Sequence, residues 1–129
     1  MFLQPYAPLL VNVNPGAYQW STNLIGFDAL TSYGSPAYYA QVMFSRNHGD
    51  EVLQTKVMST GGSRLYASAT RDNGSNTIYL KMVNAATDAQ PVHITLDGVA
   101  GIEPHGTAVV LTGHPKIPMT CAILATWCP

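Results

Sequence analysis

Two rhythms of apolar and polar positions divide the chain. Up to about residue 49 the apolar residues come first as a run and then at helical spacing. Leu9, Leu10, Val11 and Val13 enclose only Asn12, which predicts a short buried strand or the end of a helix entering one. Asn14-Pro15-Gly16 is a turn signal. The following stretch to Ser32 is mixed, with Leu24, Ile25 and Phe27 apolar and no clear period. Ser35-Pro36 predicts a helix start, because a serine side chain caps free backbone N–H groups and proline fits the first helical position. Tyr38, Tyr39, Val42 and Met43 then recur at i, i+3 and i+4 spacing and predict one buried face. Asn47-His48-Gly49 predicts the helix end.

From Asp50 onward the period changes to two. Residues 52–58 predict a strand, and Gly61-Gly62 a turn. Along residues 65–70, Leu65, Ala67 and Ala69 fall on one side and Tyr66, Ser68 and Thr70 on the other. Asp72-Asn73-Gly74-Ser75 predicts a hairpin, since Asn and Gly tolerate the positive φ of tight turns. Ile78, Leu80 and Met82 alternate with Tyr79, Lys81 and Val83. Val92, Ile94 and Leu96 alternate with His93 and Thr95, and residues 107–111 predict a fifth strand. Five short strands at regular spacing predict an antiparallel sandwich. No repeat or low-complexity tract interrupts them.

Composition agrees with a mainly β chain. At 129 residues there is material for one domain or parts of two. Only 10% of residues are charged and the formal net charge is −1. This gives no electrostatic footprint for nucleic acid or for an anionic membrane. No apolar run approaches the ~20 residues of a membrane helix. The first residues lack the basic region and cleavage pattern of a secretory leader. Cys121 and Cys128 have no further ligands at metal-site spacing and read as two thiols or a local link.

Candidate chemistry is sparse. The chain has two glutamates, Glu51 and Glu103, each expected in a solvated loop or strand mouth. His48, His93, His105 and His114 are scattered over turns and one strand and predict no metal site. Ser59, Ser63, Ser68 and Ser75 lack the flanking glycines of a nucleophile elbow. Asn73-Gly74-Ser75 also fits a glycosylation sequon, although the hairpin accounts for Asn-Gly by itself. No cofactor is expected.

The string Tyr6-Ala7-Pro8-Leu9-Leu10-Val11-Asn12-Val13-Asn14 resembles the end of the catalytic barrel in glycoside hydrolase family 51, the α-L-arabinofuranosidases. The resemblance continues through Trp20, Asn23-Leu24-Ile25-Gly26-Phe27-Asp28, Ser32-Tyr33-Gly34-Ser35-Pro36-Ala37-Tyr38-Tyr39 and Gln41-Val42-Met43-Phe44. It reaches Asn47-His48-Gly49-Asp50, the turn before the family's C-terminal β-domain. It is dense from Tyr6 to Leu53 and looser to Gly113.

The resemblance implies a mainly β chain: a jelly-roll-like antiparallel β-sandwich preceded by the last strand and helix of a (β/α)₈ barrel. Residues 1–48 would be the barrel remnant, 49–115 the sandwich, and 116–129 a tail of separate origin. The family removes terminal α-L-arabinofuranosyl groups from arabinan and arabinoxylan with retention, using two glutamates about 5–5.5 Å apart. Those motifs lie on earlier barrel strands, so no catalytic residue is expected here. Because barrel sites form at the C-terminal ends of strands, the segment between Asn14 and Asn23 is the expected sugar-facing loop. Trp20 would stack on a sugar face and Asn23 would hydrogen-bond a hydroxyl. The competing role for Trp20 is a plug at the barrel–sandwich seam, and for Asn14 a turn former. The implied partner is an arabinose-containing polysaccharide, met through the whole enzyme. The family often works as oligomers and is often secreted or periplasmic. The alternative reading is a non-catalytic carbohydrate-binding or structural sandwich.

The tail departs from the family, which runs DTNS…NP..VVP after a strand ending in Leu-Thr-Gly. Back-translated from Ile117 with one added base in front, the tail reads DTNDLRNPGDVVP. Met119 and Trp127 have single codons, and these impose an Asp and a Val where the pattern accepts them. A one-base frameshift near Lys116 is therefore expected, with Cys121, Trp127 and Cys128 as products of the wrong frame. Loss of the true terminal strands would leave a sheet edge unpaired.

Overall fold

The computed structural model describes residues 7–17, 23–59, 64–99, 101–103, 105–112 and, as backbone, 121–127. The chain divides into two compact units, Met1–Val42 and Met43–Pro129.

The first unit carries a three-stranded sheet of short strands: β1 (Leu10–Asn12), β2 (Ile25–Phe27) and β3 (Ser32–Gly34), in that order. β1 and β2 run parallel, with Leu10 opposite Ile25 and Asn12 opposite Phe27. β2 and β3 are antiparallel. The sequence pattern predicts one strand before the helix. The two further strands escaped it because each is only three residues long, too short for any period to register. Val11 and Leu24 are buried, whereas Leu9 and Leu10 stay more than half exposed. A Cβ at Gly26 would meet the outer end of the Tyr33 ring on β3, which would have to turn aside.

The helix α1 (Pro36–Arg46) starts and stops as expected. Tyr38 N–H donates to Ser35 Oγ at 3.3 Å, which caps the first turn. At the other end the Asn47 side-chain amide donates to the Met43 carbonyl at 2.8 Å. The expected apolar face is narrower than its sequence suggests. Only Met43 is buried, and Tyr39 is 52% exposed. The division between the two compact units falls inside this helix. Within the second unit Met43 packs on Tyr79, Val83 and Leu111.

That unit is built on a five-stranded antiparallel sheet: β4 (Glu51–Leu53), β5 (Leu65–Asp72), β6 (Thr77–Asn84), β7 (Gly106–Leu111) and β8 (Cys121–Trp127). Their order across the sheet is β4-β5-β6-β8-β7. The β5–β6 hairpin pairs over eight residues, from Leu65 opposite Asn84 to Asp72 opposite Thr77. Alternation is borne out on β6, where Ile78, Leu80 and Met82 are buried. Ala69, Leu80 and Met82 form one core cluster, joined by Leu53 and Ala67. Gly49 passes so close to the Arg71 backbone that a Cβ would strike it, and its N–H donates to Thr70 Oγ1 at 3.1 Å.

The fold is mainly β with an antiparallel sheet, as expected, but three particulars differ. The strand predicted over residues 52–58 ends at Leu53. Residues 92–96, despite their alternation, form no strand; Val92, Ile94 and Leu96 are 43%, 38% and 36% exposed. An alternating sequence makes a strand only where a ladder partner is at hand. Finally, the tail does not leave a gap: β8 lies inside the sheet, paired with β6 from Ile78 opposite Trp127 and with β7 from Gly106 opposite Trp127.

Candidate functional site

In sheets with parallel strands, chemistry gathers at the C-terminal strand ends. For the β1–β2 pair that end holds Asn12, Asn14 and Asp28. Asn12 Oδ1 accepts the Asn14 N–H at 3.0 Å, and the Asn14 carbonyl accepts from Ala17 N–H at 3.0 Å. These bonds shape the Asn14-Pro15-Gly16 turn, where Gly16 supplies φ 81°. Val13 N–H donates to the Phe27 carbonyl at 2.9 Å and holds the two strand ends together. Asp28 folds its own turn. Its carboxylate accepts from the backbone N–H groups of Leu30 and Thr31, both at 2.7 Å, and from the Thr31 hydroxyl at 3.1 Å. The Leu30 and Thr31 N–H groups hold its pKa below the ordinary carboxylate value.

Asn23 lies at the opposite end. It immediately precedes Leu24, whose N–H donates to the Pro8 carbonyl at 3.3 Å, while Ile25 N–H donates to the Leu9 carbonyl at 2.9 Å. The segment from Asn14 to Asn23 is therefore a crossover, running from the C-terminal end of β1 back to the start of β2. Parallel neighbours require such a return. Asn23 is 9% exposed, and its Nδ2 has no hydrogen-bond partner among the described residues. Trp20, the other residue expected at the sugar, lies outside the described residues. The sequence reading did not single out Asn12; the Asn-Val-Asn spacing, which puts both amides on one side of a strand end, was the available signal.

The two glutamates belong to separate elements. Glu51 opens β4, and Glu103 lies in the segment leading into β7. Those strands are opposite edges of the sheet, four inter-strand steps from each other, or about 19 Å at the usual spacing. A retaining pair needs about 5–5.5 Å. His48, His93 and His105 are exposed, and His114 lies outside the described residues. Among the described residues no three His, Cys, Asp or Glu side chains gather to hold a metal. No helix among them is long and apolar enough to cross a membrane. Cys121 begins β8, and Cys128 lies outside the described residues.

A second polar cluster sits where the β5–β6 hairpin tip meets the entry to β4. Asp50 Oδ1 accepts the Asn73 N–H at 2.9 Å, and Asp72 Oδ1 accepts from Gly74 at 2.8 Å and Ser75 at 3.3 Å. Arg71 donates to Asn76 Oδ1 across the turn, where Asn76 takes φ 55°. On the helix-bearing face, Lys81 Nζ lies 5.3 Å from the Phe44 ring centroid, and partial burial lowers its pKa. Both groups serve the fold.

Comparison with known proteins gives one answer. The family model of the α-L-arabinofuranosidase C-terminal domain matches residues 2–118. A probable α-L-arabinofuranosidase A of Aspergillus flavus is 35% identical over 98 residues, covering 74% of this chain and 15% of that protein. The α-L-arabinofuranosidase A of Aspergillus kawachii is 31% identical over 97 residues, with the same shares. The α-L-arabinofuranosidase 2 of Arabidopsis thaliana is 28% identical over 95 residues, 73% of this chain and 14% of the relative. Among solved structures, arabinose-bound MgGH51 α-L-arabinofuranosidase superposes with a TM-score of 0.78 at 28% identity, over 94% of this chain and 23% of that one. The chain thus spans about 15% of the length of these curated relatives. Family match, relatives and superposed fold agree that it belongs to the glycoside hydrolase family 51 α-L-arabinofuranosidases, as a C-terminal portion of such an enzyme.

Proposed function

We propose that this chain is a non-catalytic, scaffold part of an enzyme that hydrolyses terminal α-L-arabinofuranosyl groups in arabinan or arabinoxylan with retention. The carrying observation is the parallel β1–β2 pair joined to α1. Parallel neighbours need a crossover connection, the habit of βαβ units, whereas a free-standing sandwich is built from antiparallel strands. The exposed Leu9 and Leu10 fit a surface that further barrel strands cover. The acid/base and nucleophile would belong to those strands, since Glu51 opens one edge strand and Glu103 precedes the other. Trp20 stays in the proposal as a sugar-stacking residue of the crossover. Asn23 stays in the proposal beside it as a hydrogen-bonding residue, its buried amide being placed just before β2.

The test is arabinose release from a nitrophenyl α-L-arabinofuranoside. The chain alone should release none, and a fusion behind a barrel carrying both glutamates should release it. Release by the chain alone, abolished by Glu51→Gln or Glu103→Gln, would overturn the proposal. Retention of the chain on immobilised arabinan would favour the binding-module reading instead.

We also propose that residues 116–129 are read one base out of frame. Support comes from the restored string DTNDLRNPGDVVP and from the family match, which stops at residue 118. That Cys121–Trp127 pairs as a strand is no obstacle, because Ala-Ile-Leu-Ala-Thr-Trp is rich in strand formers whatever its origin. Sequencing the source DNA through the Lys116 codon decides it, and an intact frame ends the idea.

A further inference from the structure

The hairpin tip holds a reaction that the sugar chemistry does not use. Asn73 is the one asparagine of the chain followed by glycine. Asn73, Gly74 and Ser75 are exposed in the turn between β5 and β6. Absence of a side chain on Gly74 leaves the Asn73 side chain open to attack by the next backbone nitrogen. We infer that Asn73-Gly74 is a site of spontaneous deamidation, and that the modification unlatches the β4 edge from the β5–β6 hairpin.

The step balances without any enzyme. The Gly74 amide loses its proton and attacks Cγ of Asn73. The Cγ–Nδ2 bond breaks, ammonia leaves, and a succinimide closes. Water then opens either carbonyl, giving aspartate or isoaspartate at position 73.

Two carboxylates govern the rate and the consequence. Asp72 accepts the Gly74 N–H at 2.8 Å, which holds the proton on the attacking nitrogen and restrains the reaction. Asp50 accepts the Asn73 N–H at 2.9 Å, and the Asn73 side chain is a further donor to it. Deamidation exchanges that donor for a carboxylate and places it beside Asp50 and Asp72, which already repel one another. Isoaspartate also reroutes the backbone, which moves the Asn73 N–H. Asp50 directly precedes β4, a strand held to β5 by only Glu51, Val52 and Leu53. Loss of the Asp50 anchor leaves this edge strand to its three-residue ladder, the Gly49–Thr70 bond and the Leu53 contact, and so loosens it.

The experiment ages the full chain in mildly alkaline buffer, with peptide mass mapping and isoaspartyl-methyl labelling as readouts. Hydrogen exchange at Val52 and Leu53 reports on β4. Asn73 should convert several-fold faster than Asn47, Asn76 and Asn84. Gly74→Ala should slow it several-fold; the new Cβ meets only the Asp72 side chain, at 3.2 Å. Asp72→Ala should speed it, while Asp72→Asn, which keeps an acceptor, should not. Aged chain should exchange faster at Val52 and Leu53 than fresh chain. Conversion no faster than at the other asparagines, or an unchanged rate in Gly74→Ala, would overturn the site. Slower conversion in Asp72→Ala would overturn the restraint and make Asp72 a base. Unchanged exchange in aged chain would overturn the unlatching.

Discussion

The β5–β6 hairpin and the β1–β2 pair show how differently two sheets of one chain can be held. The hairpin pairs over eight residues and buries Ile78, Leu80 and Met82 on a regular alternation. Its partners are close in sequence, so the ladder closes with little loop entropy. The β1–β2 pair has three residues per strand, needs a crossover to form, and leaves Leu9 and Leu10 exposed. It also buries an amide, Asn23 Nδ2, with no acceptor among the described residues. Strands that short are not stable by themselves.

The largest expected effect tests the self-sufficient side. Leu80→Ala removes the centre of the Ala69–Leu80–Met82 cluster and should cost about 2–5 kcal/mol, the usual range for a buried leucine. Denaturant unfolding followed by hydrogen exchange at Ile78 and Met82 measures it. Val11→Ala, in the first unit, should leave that exchange unchanged. Equal losses from both substitutions would show one cooperative fold and abolish the contrast.

The same contrast decided what could be read from the sequence. Ser35-Pro36 and Asn47 announced both ends of α1, because capping is a local event. Leu65 to Met82 announced a hairpin, because period and turn chemistry agree there. Ile25–Phe27 and Ser32–Gly34 gave no warning, since their pairing is fixed by partners rather than by pattern. Val92, Ile94 and Leu96 gave a false one for the converse reason: the pattern is present and the ladder is not. The site reading depended on which strand came last. Once β2 is parallel to β1, Asn23 falls at the strand starts and Asn12 and Asn14 at the C-terminal end.

A medium effect is expected at Asn23. In the isolated chain Asn23→Leu removes a buried donor with no acceptor among the described residues. Replacing such a group with an apolar one of similar shape should stabilise the first unit by roughly 1–3 kcal/mol, the scale of an unmet desolvation penalty. Hydrogen exchange at Ile25 and Phe27 reads the change. In a fusion carrying the rest of the barrel the sign should reverse, because the acceptor is then present. Destabilisation in the isolated chain would mean that the amide oxygen outweighs the orphan nitrogen, and the first unit would be as self-satisfied as the second.

The smallest effect concerns acid. Asp28 in the first unit, and Asp50 and Asp72 in the second, all have pKa values lowered by hydrogen bonds. The Leu30 N–H leads for Asp28, the Asn73 N–H for Asp50, and the Ser75 side chain for Asp72. A carboxylate with a lowered folded pKa contributes stability above its unfolded value of about 3.9, and that stability is lost as pH falls through the folded value. None of the three is buried, so each contribution is small. Acid titration should loosen the turn at residues 28–31 and the latch between Asp50 and Asn73 in the same window, below the ordinary carboxylate range. Asp28→Asn should remove only the first transition, and Asp50→Asn only the second, as read from amide shifts of Thr31 and Asn73. A single transition that either substitution abolishes would mean that the two sheets unfold together in acid, whatever separates them near neutrality.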